Sequence, residues 1–229
     1  STPLYSSAAS DVYKRQTSLT CGGSTGGGAV ALATGQVWLA HGSDHGGSLR
    51  RPATYCSVVG LRPSPGRVTR GTADDLYSPL SVQGPMARNI PDLALFLDSM
   101  AGWDLADPLT WEAPARSYAK AVAAAEAEAP KRIAFTARFG GALAMDREME
   151  EICAREVRRF EALGAVVEEA HPDLGDLNEA FLVLRSQHFV VDREKMLLEH
   201  RDKLKPDIIW QTERGLKETA SRLAWAEHE

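Results

Sequence analysis

The feature that most limits what this chain can fold into is a pair of glycine-rich clusters set close together. Gly22-Gly23-Ser24-Thr25-Gly26-Gly27-Gly28 is followed, after one short apolar stretch, by Gly42-Ser43-Asp44-His45-Gly46-Gly47-Ser48-Leu49-Arg50. The surrounding residues 17–72 are rich in Gly, Ser, Thr and small apolar side chains and poor in charge. Such a stretch cannot form a solvated surface helix. It reads instead as a short buried helix over 27–35, a buried strand over 37–40 and a tight glycine loop over 42–47, since glycine reaches backbone angles closed to other residues. A serine placed directly after Gly46-Gly47 can be presented on a tight turn, with neighbouring backbone N–H groups converging on one point. That arrangement makes an oxyanion hole, often the largest single contribution to acyl-transfer catalysis. Ser24, in a similar loop, can relay a proton. Two other readings compete. A glycine loop also cradles phosphate, but GGSTGGG lacks the Lys-Ser/Thr ending of a P-loop and follows no clear strand. The glycines can also serve close packing alone, which would suffice for either cluster by itself but not for the two at this spacing.

Beyond residue 72 the pattern is that of an ordinary α/β protein. Asn89 caps a helix with Pro91 in its first turn and Gly102 after its end. Residues 104–115 form a loop, 118–129 a helix and 132–136 a strand. Over 146–163, Met149, Ile152, Cys153, Val157, Phe160 and Leu163 recur at helical spacing, and Gly164 stops the run. A strand at 165–168 and helices at 176–200 and 211–229 complete the chain.

The formal net charge of −5, without a basic patch, gives no footing for nucleic acid. No apolar run approaches a membrane span. Cys21, Cys56 and Cys153 are odd in number and widely spaced, which argues against a disulfide framework or zinc site and fits a reducing, cytoplasmic setting. His41 and His45 are four apart, as two ligands on a helix would be, but Gly42 and Gly46-Gly47 make a helix there unfavourable. No metal and no cofactor is expected. Residues 1–16, STPLYSSAASDVYKRQ, match nothing that follows and resemble translated adapter sequence, so they read as a non-native or disordered leader to a domain over 17–229.

The stretch GGSTGGGAVALATGQVWLAHGSDHGGSLRRPATYCSVVGLRPSPGRV, with QGPMARNIPDLALFLDSMAG after it, resembles the amidase signature family of serine hydrolases. The resemblance is strong over about 20–103 and weaker beyond. It implies an α/β fold with a mixed central sheet flanked by helices on both sides. It implies Ser48 as nucleophile, Ser24 as the bridging serine beside a cis peptide bond, and the backbone N–H groups of His45, Gly46, Gly47 and Ser48 as the oxyanion hole. Thr25, Asp44 and Arg50 fall on supporting positions, and Cys56 on a common core cysteine. The family's third catalytic group is a lysine far upstream. Lys14, the one lysine before Ser24, is too close in sequence to be assigned, so the chain by itself is expected to be inactive. Being shorter than the family domain, it is also expected to expose strand edges and to aggregate when made alone. The activity implied is hydrolysis of a carboxylic amide through a serine acyl-enzyme, with a small-molecule amide as partner and homodimerisation left open. Two alternatives stand beside it. One is the glutaminase component of a tRNA-dependent amidotransferase, disfavoured by Arg51 where that component commonly carries glutamine. The other is a non-catalytic or truncated scaffold.

Overall fold

The computed structural model describes residues 20–71, 77–125 and 127–229; the leader expected over 1–16 lies outside them. The chain divides into two compact units, Ser1–Ala123 and Ala124–Glu229.

In the first unit, α1 (Gly26–Ala33) lies where the small apolar run predicts a helix, with Ala29 and Leu32 fully buried. Its three opening glycines disfavour a helix, so packing holds it. β1 (Leu39–Asp44) pairs antiparallel with β3 (Val82–Ala87), which takes β2 (Val59–Gly60) on its other side. The strand expected over 37–40 therefore starts two residues later and runs on through Gly42 to Asp44. The ladder with β3 holds to the pair Asp44↔Val82 and carries the backbone past the glycine. Gly42 serves close approach rather than a turn: a Cβ there would stand 2.5 Å from Thr25 Oγ1 and 2.9 Å from Leu49 Cδ2. The turn falls instead on Gly46-Gly47, where Gly47 has φ +97°.

α2 (Arg50–Tyr55) follows that turn. Leu49 and Ala53 meet Ala29, Leu32 and Met86 in one buried cluster, so the residue after Ser48 is anchored in the core. α3 (Ile90–Met100) begins as read from the sequence: Asn89 Oδ1 accepts from Asp92 N at 2.9 Å, and Pro91 occupies the first turn. α4 (Tyr118–Ala123) is shorter than the helix expected over 118–129. Its alanines bury nothing, and propensity without packing does not extend a helix.

In the second unit, β4 (Arg132–Phe135) and β5 (Val166–Glu169) pair in parallel through the crossover helix α5 (Arg147–Val157). The helix expected over 146–163 is α-helical to Val157 and then 3-10 over Arg158–Leu163, ending at Gly164 with φ +85°. α6 (Leu177–His200), α7 (Pro206–Gly215) and α8 (Ala220–His228) follow. Ala180 and Val183 of α6 pack with Ala226 of α8. The single helix expected over 211–229 is thus two. The first ends at Gly215, which lies against Ser186 of α6, and Thr219 caps the second by accepting from Arg222 N at 3.2 Å. The architecture is α/β, with an antiparallel trio and a parallel pair of strands among the described residues. Among the described residues no helix is long and apolar enough to cross a membrane.

Candidate active site

The two glycine clusters, separate in sequence, meet in space. Thr25 Oγ1 donates to the carbonyl of Ser43 at 3.3 Å, tying the start of α1 to the end of β1. A Cβ on Gly23 would lie 3.3 Å from Ser48 Cα, so the Gly22–Ser24 loop rests on the turn that carries Ser48. A side chain there would press on Ser48 Cα and on the Pro52 ring, so glycine suits that approach. Ser48 is half-buried and Ser24 exposed. Among the described residues no hydrogen bond joins the two hydroxyls, a looseness common in unliganded acyl-transfer sites.

Asp44 is the hub of the turn. Its side chain is fully buried. It accepts from Gly47 N at 2.8 Å, Leu49 N at 3.3 Å and Arg50 N at 3.4 Å. The Arg50 guanidinium adds Nε at 3.0 Å and Nη2 at 3.0 Å, and Arg62 Nη1 adds a bond at 3.2 Å. Burial pushes the Asp44 carboxyl upward. The Arg50 side chain, the Gly47 amide and the Arg50 charge outweigh it and hold the group well below the usual carboxylate range. Thr25, Asp44 and Arg50 thus lie where the resemblance implies support. Arg62, which sequence reasoning did not single out, also donates to the Asp44 backbone carbonyl and to Leu80 O, the latter at 3.0 Å. A single arginine beyond β2 carries no local signal for this; only the fold brings it to Asp44.

Two expectations need correction. The Gly47 N–H, one of four amides assigned to an oxyanion hole, is turned to Asp44. A buried carboxylate is a stronger acceptor than the water that would otherwise take that proton. The amides of Gly46 and Ser48 donate to no protein acceptor among the described residues. The cis bond implied beside Ser24 is absent, every described peptide bond being trans. For a non-proline residue trans is favoured by about 3 kcal/mol unless the surroundings impose otherwise, and Ser24 is exposed.

The remaining candidates take no part in this geometry. His41 lies exposed in β1 opposite Pro85, so the helical spacing of His41 and His45 is not realised. Cys56 packs against the core, where burial first and the neighbouring Cys21 second push its thiol up, away from nucleophilic use. A cleft of about 580 Å³ in the second unit is lined by Thr136, Arg138, Glu150 and Arg158 among others and contains none of the site residues.

The family model for Amidase matches residues 14–220. The chain is 40% identical over 148 residues to a glutamyl-tRNA(Gln) amidotransferase component of Moorella thermoacetica, covering 65% of this chain and 30% of that one. It is 36% identical over 161 residues to a putative amidase of Synechocystis, covering 70% of this chain and 31% of that one. Its fold matches the crystal structure of a bacterial aryl acylamidase of the amidase signature family with a TM-score of 0.80, at 24% identity, covering 93% of this chain and 45% of the other. The protein is an α/β protein built around paired glycine loops. It belongs to the amidase family and spans about a third of the length of the curated relatives it matches.

Proposed function

We propose that this chain carries the nucleophile loops of an amidase that cleaves the C–N bond of a linear carboxylic amide through an acyl-enzyme on Ser48. The observation that supports it most is the fixed turn at Ser48, held by a buried carboxylate, with the Ser24 loop pressed against it. Ser48 Oγ attacks the amide carbon while its proton passes to Ser24 Oγ. Ser24 hands its own proton to a base, for which the family resemblance implies a lysine that is not assigned in this chain. The carbonyl oxygen becomes an oxyanion facing the Gly46 and Ser48 amides, with the His45 amide beside them. The C–N bond then breaks, the nitrogen taking the proton back along the same path and leaving as ammonia or an amine. Water repeats the attack on the ester, releasing the carboxylate and restoring Ser48.

A second reading, glutamine hydrolysis to supply ammonia to a partner protein, is supported by the amidotransferase relative at 40% identity. Arg51 stands against it, where that kind of protein commonly carries glutamine. Ammonia release from a panel of simple carboxamides and from glutamine, by the polypeptide extended to its relatives' length, separates the two. Turnover of simple amides without any partner is expected. Release from glutamine alone, and only with partner proteins added, would replace the first reading by the second.

A further inference from the structure

Arg50 and Arg62 both reach Asp44, but from different places. Arg50 opens α2 and moves with the Ser48 turn. Arg62 lies on the chain leaving β2, and its Nη2 is fixed to Leu80 O at 3.0 Å, two residues before β3 begins. Asp44 itself pairs with Val82 of β3. Arg62 therefore fastens the end of β1 to the entry of β3, giving the turn a reference outside itself. Its side chain is 24% exposed against 55% for Arg50, so its bonds are the less screened by water.

The acceptor matters more than the charge. Besides Oδ1, Arg62 Nη1 donates to the Asp44 backbone carbonyl. That carbonyl belongs to the peptide unit whose nitrogen is His45 N. The unit is planar, with C=O and N–H on opposite edges, so fixing the oxygen fixes the direction of the His45 N–H. A cation bonded to the oxygen also polarises the unit and makes its N–H the better donor.

We infer that Arg62 is a positioning residue for the amidase reaction: it aims the His45 amide at the oxyanion by holding the Asp44–His45 peptide from its carbonyl side. This rests on the reading of Ser48 as nucleophile. It separates the two arginines, Arg50 holding the carboxylate from within the turn and Arg62 orienting the turn against the sheet.

The test compares Arg62→Met, Arg62→Lys and Ser48→Ala in the polypeptide extended to its relatives' length. The kcat of the wild type and the Arg62 variants is counted per site titrated by a fluorophosphonate, and that of Ser48→Ala, which has no such site, per molecule shown to be folded by its melting transition. A group aimed at the oxyanion acts in the transition state, so Arg62→Met is expected to lower kcat by about 30- to 100-fold with KM changed less than about threefold. Arg62→Lys should recover roughly a third to a tenth of the wild-type rate, since an ammonium can reach Asp44 but cannot also span to Leu80. If Arg62→Met keeps kcat within about threefold of wild type, or its loss lies in KM, while Ser48→Ala is inactive, the inference falls and the nucleophile assignment stands. If Ser48→Ala remains active, both fall.

Discussion

Replacing Ser48 by alanine is expected to lower kcat for amide hydrolysis by about 10⁴-fold or more, the scale seen when a serine nucleophile is removed from a site whose other parts persist. The fold should survive the change. The anchor of this segment is Leu49, fully buried in the cluster with Ala29, Leu32, Ala53 and Met86, not the half-buried serine before it. Thermal melting of the variant should therefore match the wild type within a degree or two. A rate within tenfold of wild type would show that another group attacks the substrate.

The second large effect belongs to Asp44. Replacing it by alanine leaves the Gly47, Leu49 and Arg50 amides and the Arg50 guanidinium without the carboxylate they donate to, and takes from Arg62 one of its acceptors, the Asp44 carbonyl and Leu80 O remaining. Breaking a buried charge pair from one side costs about 3–5 kcal/mol. The exposed half of the Arg50 side chain places the expected loss toward the lower end of that range. The loss should depend on pH with a definite sign. The native carboxyl is held below its ordinary value, so its contribution is complete above the unfolded-chain pKa of about 3.9 and fades as pH falls below it. Denaturant midpoints for wild type and Asp44→Ala should differ most at pH 6 and draw together toward pH 3. A constant gap across that range would mean that the ionised carboxylate is not what holds the turn.

The site is more legible in the sequence than the fold around it. Gly46-Gly47-Ser48 announces a turn because only glycine takes φ +97° freely, and the carboxylate and arginine flanking it signal local support. Those cues lie within a few residues of one another. The contribution of Arg62 is long-range: it depends on β2 returning beside β3, which no local pattern encodes. The limits of β1 escape a sequence reading because Gly42 and Gly47 look alike in sequence. One is a glycine for lack of space beside Thr25 and Leu49, the other for backbone angle. The break between α7 and α8 is partly readable, since Thr219 is an ordinary cap residue, but Gly215 lies in helical backbone packed against Ser186 and Val190 rather than in a left-handed stop, and the helical spacing on either side conceals the break. The diversion of the Gly47 amide to Asp44 is only half legible: an aspartate ahead of a glycine turn commonly accepts from a nearby N–H, but which N–H it takes is settled by the turn's final geometry.

That the Ser48 hydroxyl is the nucleophile is tested most directly by treating the polypeptide, extended to its relatives' length, with a fluorophosphonate and locating the adduct by peptide mass spectrometry. The expected result is a single phosphonyl group on Ser48, with labelling slowed by a competing amide substrate and absent in Ser48→Ala. A stoichiometric adduct on any other residue, with Ser48 unmodified, would contradict it.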